Sequence, residues 1–380
     1  MKRLVGRAIV PAAAFQAAKP AGKPAAARFS LALIAIVLYS TLLSAQPRFS
    51  THILQKLRNE TITGYALQER TLVTWGDRLL WRRLPRGNYQ VVRGRGRAFS
   101  EGGAILDVDG DGKLDIVVNE GAPEAALVWY RAPHGTGPWT RHLIDTGVDA
   151  PDMLPAALLG HRGILLIHKR AQVRFYEIPA DPTARWPSQD VYSFYSPSAQ
   201  GGLRMADIDG DGLPDILAGM YWIRSPRSFE LPWRLFAIVL WNETPLSAML
   251  RLNYGSLGLV AAQREMQPAR LARFDKPADP RQLWIEHRID SVPDLSEVNS
   301  LETADFDGDG RSDILAGEKA GQGRLLVLYN EGDGRFRPVQ VAQGPPVLFA
   351  RVLDMNGDGR PDILAIRRDA ILWFENLGLP

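Results

Sequence analysis

The 380-residue sequence contains no cysteine. This absence excludes disulfide bonds, thiolate nucleophiles, cysteine-based zinc sites and acylation of a lipoprotein cysteine. No segment shows a sustained apolar period of 3.6 residues, so we expect little helix. Acidic residues are missing from positions 1–45, which carry six of the 45 basic residues. The remainder has 39 basic and 42 acidic residues, and this mildly acidic balance predicts no nucleic-acid partner.

The first 45 residues have the layout of an export signal. A basic stretch rich in alanine precedes the uncharged run 31–43, and Ala45 follows as a small residue at its exit. Cleavage after Ala45, retention as a single-pass anchor and burial as an apolar helix of the folded domain are all open. The run is short for a membrane-spanning helix, which needs about 20 residues. We therefore divide the chain into a signal peptide or signal anchor at 1–45 and a folded domain at 46–380, and expect it to be secreted, periplasmic or on the cell surface.

Four segments repeat the acidic pattern D-x-[DN]-G-D-G-x-x-D, each followed by isoleucine and a short apolar run. They begin at Asp107, Asp207, Asp305 and Asp354, which indicates a period near 49 residues with some members lacking the acids. Three further units have similar strand patterns without the acidic loop. Together the seven units start near residues 62, 102, 154, 201, 255, 299 and 347. A period of about 40–50 residues with short strands is typical of a β-propeller.

Apolar alternation and Asp-Gly turns predict four strands in the complete unit 299–343. We therefore expect an all-β fold, a seven-bladed β-propeller of four-stranded antiparallel blades. The last unit shows only three strands. Residues 49–55 form a weak copy of the W-x-x-H-x-I-D pattern that starts at Trp139 and Trp284 in two outer strands. We infer that an N-terminal strand completes the last blade and closes the ring, which would remove an exposed sheet edge.

The acidic loops have the chemistry of calcium sites. Three carboxylates lie on one side of a tight loop, the ninth residue closes it, and the carbonyl of the seventh can contribute. An EF-hand is excluded because the twelfth position is Val118, Ala218, Ala316 or Ala365. Metal-free Asx turns are the alternative, and Asn356 should weaken the fourth site. The predicted ligands of about four Ca²⁺ ions are Asp107, Asp109, Asp111, Lys113, Asp115, Asp207, Asp209, Asp211, Leu213, Asp215, Asp305, Asp307, Asp309, Arg311, Asp313, Asp354, Asn356, Asp358, Arg360 and Asp362.

These loops and the Ile-Leu-Ala-Gly runs behind them resemble the FG-GAP/VCBS repeat family, found in the propeller of integrin α subunits and in many bacterial secreted proteins. The resemblance covers roughly residues 48–380. It implies a β-propeller with Ca²⁺ in the loop between the first two strands of a blade, and it carries the aspartates of the four loops over as ligands. Members of the family range from adhesion and sugar-binding modules to a few lyases and dehydratases.

We predict a calcium-stabilised binding or adhesion module for a glycan or protein partner, tethered to a membrane if the leader is retained. The alternative is a carbohydrate-active enzyme, a polysaccharide lyase or sugar dehydratase. It would need Arg, Lys, Tyr or His side chains that converge on the channel or one face, and sequence spacing shows no such cluster. No catalytic residue is assigned. The loop aromatics Trp186, Tyr221, Trp222 and Trp233 are candidates for a sugar-stacking face, whereas recurrence of His142 and His287 favours a structural role.

Overall fold

The computed structural model describes residues 48–58, 60–96, 98–121, 124–135, 137–194, 202–241, 246–251, 257–263 and 266–379. Within these ranges the chain forms 28 β-strands and no helix, so no described helix could cross a membrane. The strands form seven four-stranded antiparallel sheets, the blades of a propeller. The predicted all-β fold with seven four-stranded antiparallel blades is confirmed. The leader at 1–45 lies outside the described residues.

The first three blades consist of consecutive strands. Blade 1 contains β2 (Ile62–Gln68), β3 (Thr71–Gly76), β4 (Leu79–Arg83) and β5 (Tyr89–Arg93). Blade 2 contains β6 (Phe99–Leu106), β7 (Asp115–Glu120), β8 (Ala126–Arg131) and β9 (Thr140–Thr146). Blade 3 contains β10 (Asp152–Leu158), β11 (His161–His168), β12 (Gln172–Glu177) and β13 (Ser188–Ser193).

Blades 4 to 6 follow the same order. Blade 4 contains β14 (Arg204–Ala206), β15 (Asp215–Ala218), β16 (Tyr221–Arg224) and β17 (Arg234–Ala237). Blade 5 contains β18 (Leu246–Arg251), β19 (Leu257–Gln263), β20 (Arg270–Asp275) and β21 (Ile285–Arg288). Blade 6 contains β22 (Val298–Ala304), β23 (Asp313–Glu318), β24 (Leu325–Gly332) and β25 (Arg335–Ala342).

Blade 7 joins the two ends of the described chain. It contains β26 (Val347–Leu353), β27 (Asp362–Arg367) and β28 (Ala370–Asn376), and its outermost strand is β1 (Phe49–Lys56). β1 runs antiparallel to β28 from the pair Phe49 and Asn376 to the pair Lys56 and Ala370. That this pairing closes the ring and stabilises it stays a prediction.

The hydrophobic core lies between the blades. The seven clusters of buried side chains found among the described residues each combine residues of two neighbouring blades. Trp75 of blade 1, for example, packs with Ile116 of blade 2, and Leu72 of blade 1 packs with Met355 and Leu364 of blade 7. Complete burial of one such side chain is worth about 1.5–3 kcal/mol. Inner strands also contact one another between blades 1 and 2, 2 and 3, 5 and 6, and 6 and 7. The first strands of the blades line the central channel of the propeller.

Two predicted boundaries were wrong. Blade 5 begins at β18, near residue 246, and the strand that follows its predicted start at 255 is the second strand of the blade, β19. Tyr221 and Trp222 are predicted in a loop, but residues 221–224 form the third strand of blade 4, β16, and residues 225–233 connect this strand to the fourth.

Candidate functional site

The four acidic loops connect the first and second strands of blades 2, 4, 6 and 7, and they share one hydrogen-bond pattern. In blade 2, the carboxylate of Asp107 accepts backbone N–H bonds from Gly110, Asp111 and Gly112. Gly110 and Gly112 both have positive φ angles, which glycine adopts without a steric penalty. The aspartate therefore folds its own loop, and the same three bonds recur at Asp207, Asp305 and Asp354.

The ninth residue of each loop ties the loop to the blade. Both oxygens of Asp115 accept backbone N–H bonds, one from Val108 and one from Ala132 at the end of the third strand. Asp215, Asp313 and Asp362 make the equivalent pairs of bonds. These four aspartates are fully buried, so each holds a polar crosslink inside its blade.

Three of the loops fit a divalent cation. In blade 2, carboxylate oxygens of Asp107, Asp109 and Asp115 lie within 4.8 Å of one another. The trios that begin at Asp207 and Asp305 meet the same limit. Calcium binds oxygen at about 2.3–2.6 Å, so two ligands on opposite sides of one ion stand at about this separation. Carboxylate oxygens are also the donors that Ca²⁺ prefers, and the ion would add a crosslink to each loop.

Arginine side chains contact the same carboxylates, which the sequence analysis did not anticipate. Arg131 and Arg224 extend from the ends of third strands to Asp109 and Asp209 respectively. Arg311 and Arg360 belong to their own loops and contact Asp309 and Asp358. The loop carboxylates are therefore partly neutralised by the protein. This neutralisation weakens the mutual repulsion that a bound cation would relieve, so the approach of the carboxylate oxygens to one another is the stronger support for a cation.

The aspartates at the ninth position of the loops have shifted pKa values. Burial, with a smaller contribution from neighbouring loop aspartates, raises the pKa of Asp115 and of Asp215 to about 6 and that of Asp313 to about 7. The backbone N–H bonds oppose this shift. A bound cation would favour the charged carboxylates, because an opposite charge lowers the pKa of an acid.

A second group of charged residues, the channel cluster, lies where inner strands of five blades converge. Arg351 of blade 7 pairs with Glu302 of blade 6 at 2.7 Å, and the same oxygen of Glu302 lies 3.6 Å from Arg204 of blade 4. Tyr65 of blade 1 and Asp152 of blade 3 complete the cluster, since both interact with Arg204 and Arg351. Blades 4 and 6 are separated by blade 5, so the contact between Arg204 and Glu302 crosses the channel.

The channel cluster is enclosed but reached by water. Burial raises the pKa of the Tyr65 hydroxyl and of the Asp152 carboxyl, while Arg351 and Arg204 act in the opposite direction. Side-chain exposure nevertheless remains 35% for Arg351 and 29% for Arg204. Such a combination is typical of side chains that line an interior channel. Sequence spacing missed this cluster, although it is the convergence that an enzyme would require.

The expected sugar-stacking face is not formed as predicted. Trp186 and Trp222 are fully buried, the first in the core between blades 2 and 3 and the second between blades 4 and 5. Their indole N–H groups donate to Pro182 and Pro280. Only Tyr221 and Trp233 remain partly exposed. In the segment 225–233, which connects the third and fourth strands of blade 4, the Phe229 ring packs on Trp233.

The recurring outer-strand histidines contact neighbouring strands of their own blades. His142 stacks on Trp129 with ring centroids 4.5 Å apart. Nε2 of His287 lies 3.0 Å from the carboxylate of Asp275. These contacts support the predicted structural role, but they stabilise single blades and do not join one blade to the next.

Comparison with known proteins identifies the repeat. Residues 305–365, which run from the acidic loop of blade 6 to the second strand of blade 7, match the model of the FG-GAP-like repeat. The chain is thus a seven-bladed β-propeller that contains an FG-GAP-like repeat, and the resemblance seen in the sequence is confirmed there. No curated protein sequence matches the chain.

Solved structures resemble the whole propeller. YCF48 from Cyanidioschyzon merolae superposes with a TM-score of 0.55 at 12% identity, over 86% of this chain and 99% of that one. A structure described as YCF48 bound to D1 peptide gives a TM-score of 0.51 at 12% identity, over 87% of this chain and 97% of that one. At this identity the likeness shows the fold alone.

Proposed function

We propose that the chain is an exported binding protein whose propeller is stabilised by about four Ca²⁺ ions in its acidic loops. The observation that carries the calcium assignment is the approach of three carboxylate oxygens to within 4.8 Å in each of three loops. Crosslinks of this kind would replace the disulfides that a chain without cysteine cannot form. Export follows from the leader at 1–45, and calcium is plentiful outside the cytoplasm.

A protein or peptide is the favoured partner. A YCF48 propeller of the same fold is described as bound to a peptide, which supports this class of ligand for the scaffold. A glycan that stacks on Trp186 and Trp222 is disfavoured, because both rings are buried in the cores between blades. The partly exposed Tyr221 and Trp233 leave a smaller aromatic surface for either kind of partner.

An enzymatic function is the second candidate, and the channel cluster is the observation in its favour. Tyr65, Arg204 and Arg351 approach one another in an enclosed channel beside two carboxylates. Such groups can orient an anionic substrate and transfer a proton. The polysaccharide lyase or sugar dehydratase considered from the sequence would act there.

Calcium dependence is tested by thermal melting in excess EGTA and in added CaCl₂. We expect a lower melting temperature in EGTA and full recovery when calcium is restored, because an ion that binds only the folded state stabilises it by mass action. Magnesium at the same concentration is the control and should restore less. Identical melting curves in EGTA and in calcium would refute the stabilising role of the metal.

Binding and catalysis are separated by two parallel measurements in calcium. A displayed peptide library and a glycan array report the class of partner, and an absorbance assay for unsaturated sugars reports lyase activity on acidic polysaccharides. Peptide binding without product supports our proposal. Product formation that Tyr65→Phe abolishes would establish the enzyme instead. Mass spectrometry of the exported chain, which should begin at Gln46 after cleavage, distinguishes the signal peptide from a retained anchor.

A further inference from the structure

The channel cluster holds two guanidinium groups that approach the same carboxylate oxygen. Arg351 and Arg204 both approach Oε1 of Glu302, at 2.7 and 3.6 Å. Arg204 also donates from Nη1 to the carbonyl of Leu203 at 2.9 Å. Each guanidinium carries five N–H donors, so both retain donors that can reach a ligand in the channel. Because these two side chains are partly exposed, a small molecule in the channel can contact them.

Three members of the channel cluster occupy equivalent positions in their respective blades. Arg204, Glu302 and Arg351 each stand three residues before the first aspartate of an acidic loop, opposite a leucine of the second strand. In blade 2 the same position is Ala104, which is buried. A strand rises about 3.3 Å per residue, so the cluster lies about 10 Å along the channel from the acidic loops. The charged groups therefore stand in the channel itself and are separate from the candidate calcium loops.

We propose that the channel cluster binds a small carboxylic acid that carries hydroxyl groups. Arg204 and Arg351 hold the carboxylate, since a planar guanidinium can donate two parallel hydrogen bonds to it. Tyr65 contributes a hydroxyl beside Arg351. The carboxylate of Asp152, which interacts with both arginines, accepts a hydrogen bond from a hydroxyl group of the ligand. The inference rests on these side chains alone, so it does not depend on calcium, on export or on the peptide partner.

The balance of charge selects this class of ligand. Two arginines stand beside two acidic side chains, so the cluster has little net positive charge. A phosphate dianion carries twice the charge of a carboxylate, so Asp152 and Glu302 would repel it about twice as strongly at the same distance. A neutral sugar would leave the donors of both arginines without a charged partner. A single carboxylate flanked by hydroxyl donors satisfies both kinds of group.

Glu302 also acts as an internal competitor in this arrangement. Its carboxylate lies between the two arginines, where the carboxylate of the ligand would otherwise be held. Replacing it with glutamine keeps its size and removes its charge, so both guanidinium groups become free for an external anion. Loss of the Glu302 charge should therefore strengthen binding of the carboxylic acid. An ion-pair network with a purely structural role would not predict this result.

The experiment measures binding of D-glucuronate and D-gluconate by calorimetry or by ligand-detected NMR, with D-glucose and sorbitol as neutral controls. We expect saturable binding of at least one of the two acids and none of the neutral compounds. Arg351→Gln and Arg204→Gln should each weaken binding about tenfold or more, whereas Glu302→Gln should strengthen it several-fold. Arg337→Gln, which removes an arginine paired with Glu331 on the outer strand of blade 6, is the matched control and should leave binding unchanged.

Two results would overturn the inference. One is the absence of saturable binding of both acids, up to about 10 mM, by the parent and by Glu302→Gln alike. The other is binding that the two channel-arginine variants do not weaken. Should those variants fail to fold, as judged by circular dichroism, the Glu302→Gln comparison alone decides, and an affinity equal to or below that of the parent counts against the proposal.

Discussion

His52 in the first strand stacks on Trp373 in the last, with ring centroids 4.4 Å apart. The two residues are direct register partners of β1 and β28. Blade 2 contains the same arrangement, because His142 of its outer strand is the register partner of Trp129. Residues from opposite ends of the described chain thus reproduce a contact that another blade makes between consecutive strands.

Deletion of residues 46–56 should destabilise the propeller, because it removes β1 and exposes the edge of β28. We expect the melting temperature to fall by about 10 °C or more, since each kcal/mol shifts it by about 2–4 °C in a domain of about 200 residues. His52→Ala, which removes the stacking and the hydrogen bond to Glu375, is the control and should cost far less. A truncated chain that melts with the parent would show that β1 is dispensable.

Asp207→Ala should destabilise the protein more than Asn356→Asp. The first change leaves the backbone N–H groups of Gly210, Asp211 and Gly212 without their acceptor, at a cost of about 1–3 kcal/mol. The second adds a carboxylate where the fourth loop has an amide, and calcium should then stabilise this variant more than the parent. Thermal melting with and without calcium measures both effects. The reverse order of stability would contradict the ranking of the loops.

Arg224→Gln should strengthen calcium binding in blade 4. The Arg224 guanidinium contacts Asp209 and lies 2.9 Å from the carboxylate of Asp211, so it competes with a cation for these oxygens. We expect a gain in affinity of about fivefold, equivalent to about 1 kcal/mol for a surface ion pair. Calcium titration by calorimetry measures it. Arg234→Gln, a change in the register partner on β17, is the control, and equal effects of the two changes would exclude competition.

Glu318→Gln should destabilise blade 6 by about 3 kcal/mol, because it removes one partner of a buried ion pair. Glu318 is fully buried, accepts N–H bonds from Ser296 and Arg324, and pairs with the Arg324 guanidinium at 2.6 Å. Burial alone would raise its pKa, but these partners outweigh burial and lower it.

The pH dependence of stability tests the same pair. A carboxyl group whose pKa is lower in the folded state stabilises the fold above its unfolded pKa, near 4.5, and loses this contribution as the pH falls below that value. The parent should therefore lose stability below about pH 4.5 more steeply than Glu318→Gln. The control is Glu331→Gln, in a half-exposed ion pair with Arg337, which should cost no more than about 1 kcal/mol. Parallel pH profiles of parent and Glu318→Gln would contradict this account.

The repeat made most of the fold predictable from the sequence. Aspartates at fixed spacing located four blades, and the strands of the unit 299–343 were placed correctly because each begins or ends beside a glycine or an Asp-Gly turn. The weak copy of the outer-strand pattern at residues 49–55 coincides with β1, which pairs with β28 of the last blade, while closure of the ring by this strand stays a prediction. Local chemistry sufficed wherever a turn or a strand is defined by residues near in sequence.

The channel cluster could not be derived in the same way. Glu302 and Arg204 are 98 residues apart, and they meet only because the blades surround a common axis. One signal was available: a charged residue three positions before the loop aspartate, where Ala104 stands in blade 2. The prediction for the loop aromatics failed for a related reason, since Trp186 and Trp222 are buried against side chains of an adjacent blade, and such contacts between blades do not follow from sequence spacing.

The pairing of β1 with β28 sets the order in which the protein can mature. Among the described strands β1 is synthesised first, and its partner strand is completed about 320 residues later. At a synthesis rate of about 5–20 residues per second, the first strand stays without its native neighbour for about 15–60 seconds. Throughout that interval the backbone groups of β1 are available to other polypeptides. A chaperone that binds the unfolded chain, or folding that is delayed during transport, would therefore help this protein more than a propeller in which every sheet consists of consecutive strands.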